Sequence, residues 1–380
     1  MDRETELSLL DELKGLSDAG SAYLDEDITR SAVEDYTSQS RFNLEKHHIF
    51  SALPHITCHS SELAEPGAFL RAELAGKPIL LTRDRNGEAH AFLNVCRHRG
   101  ARLVEDQRGC RHLFSCPYHA WTWSNTGMLR GIPHQKQGFP DIDKSQYGLI
   151  RLPCAERLGW VWVVPDPNAR VDIDAHLAPI AADIDWLETD SLQIAQESKL
   201  TCTANWKLLV EGGIEAYHFS VAHAKTIGPY FPDNLSSYQC FGPHMRSVLP
   251  RVTLTDLKAE DRENWSLRTE ANMVYSIFPT TQWLVQQDHI VWIHMDPIGP
   301  GETRLRLATL APVTEIERID HWQRNHAITM TTLTEDFEIG EAIQSGLESG
   351  ANTHLTFGRY EGALHRFAQT VQAALDNDHA

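Results

Sequence analysis

Four residues on two short stretches have the chemistry to hold a soft metal centre. Asn94-Val95-Cys96-Arg97-His98-Arg99-Gly100 carries a Cys-x-His pair just after a β-rich run, and Cys116-Pro117-Tyr118-His119-Ala120-Trp121 carries a Cys-x-x-His pair. Seventeen residues lie between His98 and Cys116, enough for a strand, a turn and a return. Two thiolates and two imidazoles suit either a structural Cys2His2 zinc ion or an iron–sulfur cluster with Cys on one iron and His on the other. Each stretch mixes one Cys with one His, whereas zinc fingers group Cys with Cys and His with His, so a cluster is the expected occupant. Gly100 and Pro117 suit loops that bend closely around a compact cofactor. Cys110, between the stretches, is expected to be an ordinary buried thiol.

A second constellation lies in the segment from Asn205 to His223. Glu211, Glu215 and His218 follow one another at four and three residues, which places them on one face if residues 206–222 form a helix. His223 swings back to that face if the helix loosens near Val221. Two imidazoles plus a carboxylate, with positions left open, bind Fe(II) where O2 must reach the metal. A lone helical His is more often a core or surface residue. The Cys-His stretches upstream are what raise this pair above that reading.

Cys96-x-His98-Arg99-Gly100 followed by Cys116-Pro117-Tyr118-His119 resembles the signature of Rieske proteins. Asn205-Trp206-Lys207, followed by Glu215, His218 and His223, is similar to the signature of Rieske non-heme iron oxygenase alpha subunits, the ring-hydroxylating dioxygenase and demethylase superfamily. The likeness runs from about residue 46 to the C-terminus and includes Phe357-Gly358-Arg359-Tyr360-Glu361. It implies a Rieske [2Fe–2S] cluster on Cys96, His98, Cys116 and His119, and a mononuclear Fe(II) on His218, His223 and a distant carboxylate. Thr334 to Leu347 resembles the family's C-terminal segment, in which the Asp of an acidic pair binds iron. That implies Asp336, with Glu335 the nearest rival; alone, these acids would read as a solvated helix face.

The resemblance further implies an α+β chain: an all-β Rieske domain beside a helix-grip catalytic domain. It implies homotrimeric rings in which electrons pass from one subunit's cluster to its neighbour's iron. Glu215 would bridge that route, bonding a cluster His (His119) on one side and His218 on the other. Many members have Asp at this position, and Glu leans away from the naphthalene-type dioxygenases. The implied function is O2 activation with electrons from a separate NAD(P)H reductase or ferredoxin, since no dinucleotide-binding glycine motif is visible here. Hydroxylation, cis-dihydroxylation or oxidative demethylation of a small organic substrate would follow. An aromatic substrate comes first and a quaternary ammonium compound second; Ile227-Gly228-Pro229-Tyr230-Phe231 does not decide between them. A Rieske electron carrier or redox sensor without oxygenase activity is the reading from a different class.

These residues need elements to position them. Residues 1–45 read as helical and polar, with Leu7, Leu9, Leu10 and Leu13 as a packing stripe on the catalytic domain. Residues 46–165 turn to short β-rich runs such as Ile79 to Thr82, Ala91 to Val95 and Gly159 to Val164, separated by Asn86-Gly87 and Asn125-Thr126-Gly127. Pro165-Asp166-Pro167-Asn168 marks a boundary. Residues 166–380 read as α+β rather than a βαβ alternation: a helix-like stretch from Trp206 to about Ala222, then Val274–Phe278, Trp283–Val285, Ile290–Met295 and Thr303–Ala311 as antiparallel strands, then helices over Thr314–Gln344 and Glu361–Leu375.

At 380 residues the chain can build two cores, and 42% hydrophobic with 23% charged residues is an ordinary globular balance. Its charge of −18 argues against nucleic acid or an anionic membrane as partner. No run of eighteen apolar residues suggests a membrane span, and the acidic Met1-Asp2-Arg3-Glu4 start lacks a signal-peptide pattern, so a cytoplasmic location is expected. Seven scattered cysteines there point to metal rather than a disulfide framework. Arg97, Arg99, Arg102, Arg108 and Arg111 outnumber Glu105 and Asp106 around the Cys-His pairs. Such a basic patch suits an acidic ferredoxin or reductase domain; ordinary solvated arginines are the bland alternative.

Overall fold

A computed structural model describes residues 1–170 and 172–376, which divide into two compact units. The first, residues 50–176, is built of β-strands. A five-stranded sheet runs in the order Arg151–Leu152, Ala89–Leu93, Lys77–Arg83, Ala68–Leu74, Arg108–Cys110. The strand Lys77–Arg83 shows why two cores form. Leu80 faces a cluster with Phe92, Phe114, Trp121 and Trp123, while Ile79 and Leu81 face another with Val161 and Val163. Successive strand side chains point to opposite faces, so one apolar run feeds both cores. Cys110 corrects the expectation of a buried thiol. It is exposed, because Arg108–Cys110 is an edge strand of this sheet.

The second unit joins residues 1–49 to residues 177–376. Its centre is an antiparallel seven-stranded sheet, in the order Leu192–Cys202, Glu302–Pro312, Ile290–Gly299, Thr281–Val285, Ala271–Ile277, His244–Pro250, Ser237–Phe241. The N-terminal helix Arg3–Asp18 buries Leu7, Leu10 and Leu13. Residues Thr29–Ala32, read as helical from sequence, form a strand paired with His354–Phe357.

Two helices carry the chemistry. The long helix Ile319–Glu348 begins five residues later and ends four later than the sequence suggests. Trp322, His326, Thr329, Phe337, Gly340, Gln344 and Leu347 are its buried residues, at helical spacings of three and four or their sums. Gly340 sits where this helix meets the helix Trp206–Gly213. A Cβ there would lie 3.3 Å from Leu209 and 3.8 Å from Ala204, so the missing side chain allows the close approach. The helix at Trp206 was expected to reach Ala222. It stops at Gly213, after two glycines that are poor helix formers, and a short helix resumes at Phe219–Ala222. Glu215 and His218 therefore lie in a break rather than on one helical face with Glu211. Among the described residues no helix is long and apolar enough to cross a membrane.

Candidate metal centres

The two Cys-His stretches form the same turn twice. Cys96 N–H donates to Ala101 O at 2.8 Å and Gly100 N–H to Cys96 O at 2.9 Å. Cys116 N–H donates to Trp121 O at 2.8 Å and Ala120 N–H to Cys116 O at 2.9 Å. In each turn the fourth residue after Cys is left-handed: Gly100 at φ 81° and Ala120 at φ 55°. Both thiols are buried, and the His98 and His119 rings lie 4.9 Å apart by centroid. Trp121 stacks on His98 at 4.7 Å and 6°. Burial, with His119 and Arg99 nearby, lowers the His98 pKa and so favours the neutral ring, the form that ligates metal. Burial pushes the Cys96 thiol up, against backbone N–H groups of His98 and Arg99 that favour the thiolate. Nδ1 of His98 and of His119 are buried with no hydrogen-bond partner. Leaving one such nitrogen unpaired costs about 1–3 kcal/mol, so these atoms fit metal ligation.

The second cluster forms around the helix break. His223 Nε2 lies 2.9 Å and His218 Nε2 3.4 Å from Asp336 Oδ1. One ligand atom from each residue falls within 4.8 Å of the others. The outer nitrogens are held too. Glu215 accepts from His218 Nδ1 and from the Tyr217 N–H, while Glu335 accepts from His223 Nδ1 and from Thr226 Oγ1, each at 2.7 Å. The neighbouring acids thus divide the work: Asp336 faces both inner nitrogens and Glu335 steadies one outer nitrogen. Burial disfavours the His218 cation, yet Asp336 and Glu215 lift its pKa to about 9. Burial raises Asp336 but both imidazoles lower it further. Such a set favours a cation at its centre.

Beneath the break lies a buried polar network. Tyr36 Oη donates to Glu211 Oε1 at 2.7 Å, and Glu45 accepts from Lys207 Nζ at 2.5 Å and Trp206 Nε1 at 3.0 Å. Glu211, fully enclosed, is pushed up to about 8 by burial. It is not one of the three clustered residues.

The triad stands in a wall between two spaces. On the His223 side is a small, mostly apolar cavity of about 110 Å³. Ile227 and Phe231, from the segment that sequence left undecided, line it. On the other side a wider, more polar cleft of about 720 Å³ is lined by Glu215, His218, Glu211 and Glu361. Asp336 borders both. Sequence reading missed three amides in the apolar cavity: Asn272, Gln282 and Gln286. The alternation Gln282-Trp283-Leu284-Val285-Gln286 was the available signal, since only the first, third and fifth face the cavity.

A family model described as the Rieske [2Fe–2S] domain matches residues 54–154, and one described as the ring-hydroxylating alpha subunit catalytic domain matches residues 189–377. The chain belongs to the Rieske non-heme iron oxygenase alpha subunits. It is 33% identical over 201 residues to the anthranilate 1,2-dioxygenase large subunit of Acinetobacter baylyi, covering 52% of this chain and 43% of that protein. It is 26% identical over 361 residues to the glycine betaine monooxygenase oxygenase subunit of Chromohalobacter salexigens, covering 83% and 79%. The match spans about half the length of the first curated relatives. A solved quaternary ammonium Rieske monooxygenase shares the fold, with a TM-score of 0.77 at 22% identity over 92% of this chain and 95% of that one. The cofactors of this oxygenase alpha subunit are accordingly a Rieske [2Fe–2S] cluster and a mononuclear iron. Both fit: orphaned Nδ1 atoms beside two buried thiols for the first, and two Nε2 atoms facing one carboxylate for the second.

Proposed function

We propose that this chain is the terminal oxygenase component of a system that oxidises a small, largely apolar organic substrate. Cys96, Cys116, His98 and His119 hold the cluster; His218, His223 and Asp336 hold the iron. The observation that carries the reading is the triad's place in the wall between a small apolar cavity and a larger, more polar cleft. When bound, the iron activates O2 with electrons that a separate NAD(P)H-dependent reductase or ferredoxin supplies. The apolar cavity orients the substrate and excludes water. Glu215, on the cleft side, fixes the His218 ring through Nδ1. Assembly as a ring of three would bring a neighbour's His119 to Glu215 from that cleft.

The exposed Arg97, Arg99 and Arg108 carry no acidic partner among the described residues, whereas Arg102 and Arg111 pair with Glu105 and Asp106. The unpaired three are the basis for docking an acidic electron donor. Seven free cysteines suit the reducing cytoplasm. The cavity is close to the size of an apolar cavity that takes benzene, about 150 Å³, which favours one ring as the substrate. Quaternary ammonium oxidation is the second reading, favoured by the likeness to glycine betaine monooxygenase.

The test is metal content, then turnover. The wild type should hold three irons and two sulfides per chain and take up O2 with a surrogate reductase. Glu215→Gln should keep both metals and slow product formation by about 10- to 100-fold. Two irons and no oxygen uptake would instead support the electron carrier.

A further inference from the structure

At the end of the apolar cavity two amides are held in one orientation from behind. Arg251 donates from Nη2 at 2.8 Å and from Nε at 3.3 Å to Asn272 Oδ1, and from Nη2 at 3.5 Å to Gln286 Oε1. A guanidinium has donors only, so both amide oxygens must face it and both NH2 groups must face elsewhere. Asn272 and Gln286 line the cavity and Arg251 does not. Asn272 is only 8% exposed, and no partner for its Nδ2 exists among the described residues. Neither amide nitrogen is among the fully buried atoms that lack a partner, so both keep access to the cavity that Asn272 and Gln286 line.

The position along the sheet matters. Gln282, at the near end of its strand, donates to Val210 O on the helix that stops just before Glu215. Asn272 and Gln286 lie four residues away from Ser276 and Gln282 on paired strands, about 13 Å at 3.3 Å per residue. Val274, Leu284, Ile293 and Met295 line the stretch between. Among the described residues, Asp336, in the triad itself, is the only carboxylate in the lining. Arg251 makes no ion pair among the described residues, its third contact being Thr269 O at 3.2 Å. Its charge therefore stands behind the amides and polarises their N–H groups.

We propose that Asn272 and Gln286, aimed by Arg251, form a specificity subsite for a hydrogen-bond-accepting oxygen on the substrate, a carboxylate, carbonyl or nitro group at the end of the ring remote from the triad. The inference rests on the cavity being the substrate site of the proposed oxygenase, and it names what that substrate carries. A quaternary ammonium group meets the wrong polarity at this end.

Binding can be read apart from turnover. Isothermal titration of the iron-loaded full chain would compare benzoate, nitrobenzene, isopropylbenzene and phenyltrimethylammonium, which are close in size. Benzoate or nitrobenzene should bind about tenfold or more tighter than isopropylbenzene. Asn272→Asp keeps an oxygen for Arg251 and removes the donor, so it should erase the preference for nitrobenzene. Gln286→Glu repeats the test if Asn272→Asp melts early. Arg251→Met, which releases both amides, should shrink the preference without touching the ligand. Equal binding of all four, tightest binding of phenyltrimethylammonium, or an unchanged preference in the folded amide variants would overturn the subsite. If the preference holds while no substrate stimulates oxygen uptake, the oxygenase reading falls and the subsite stands; coupled uptake without any preference has the opposite meaning.

Discussion

The two metal regions are assembled by different physics. Each cluster turn is closed within six residues by two backbone hydrogen bonds, and the second turn repeats the first. The iron triad has no such local frame. His218 and His223 flank a short helix after a break, and Asp336 arrives from a helix more than a hundred residues further on. Its geometry depends on Gly340 packing beside Leu209, on Glu215 and Glu335 gripping the outer nitrogens, and on the buried Tyr36–Glu211 and Lys207–Glu45 contacts below. A backbone-built site tolerates distant change and fails by local change. A packing-built site is vulnerable from many directions.

The largest effects should separate the two sites completely. Cys116→Ser should lower iron from three to one per chain and abolish the visible absorbance of the cluster, leaving the triad loaded. His218→Ala should lower iron from three to two and leave that absorbance intact. Both should reduce product formation to background, for opposite reasons. Loss of the cluster in His218→Ala, measured by sulfide and absorbance, would mean that the sites are not independently built. A smaller effect should appear one shell out. Glu335→Ala frees the His223 ring and should weaken iron retention against a chelator by about 10- to 100-fold. Glu335→Gln still offers an oxygen to Nδ1 and should recover part of that loss; equal losses would show that charge, not orientation, is what Glu335 supplies.

The same contrast explains what the sequence could reveal. Cys96, His98, Cys116 and His119 stand in two contiguous stretches, so their spacing alone suggests a metal centre. His218 and His223 were legible as a pair, but the break that positions them was not, because Glu211, Glu215 and His218 fit helical spacing and only Gly212-Gly213 hinted otherwise. Asp336 and Glu335 are neighbours with the same chemistry, and only the packing of the long helix says which faces the imidazoles. Asn272, Gln282 and Gln286 look like the polar face of ordinary strands until the cavity is seen. The Thr29–Ala32 strand depends on a partner over three hundred residues away, and the exposure of Cys110 depends on which strand ends up at the sheet edge. Local pattern carries local chemistry, and register and edges are tertiary facts.

The smallest expected effect tests whether the two cluster turns are equivalent. Both place the fourth residue after Cys in the left-handed region, but one uses Gly100 and the other Ala120. An L-residue there costs roughly 1–2 kcal/mol relative to its normal backbone. A Cβ on Gly100 would meet nothing within 4 Å, so Gly100→Ala adds that backbone cost, offset in part by about 0.5–1 kcal/mol of freedom removed from the unfolded chain. It should destabilise the residue 50–176 unit by about 1 kcal/mol, a shift of a few degrees in its melting. Ala120→Gly runs the same two terms in reverse, relieving the strain and giving the unfolded chain about 0.5–1 kcal/mol more freedom to lose, so equivalent turns predict a gain of similar size. Thermal melts of the two loaded variants should therefore shift in opposite directions by similar amounts, with Gly100→Ala the lower. If instead Ala120→Gly left the melting point unchanged while Gly100→Ala lowered it, the two turns would not be equivalent, and the Ala120 side chain would be making contacts that offset its strain.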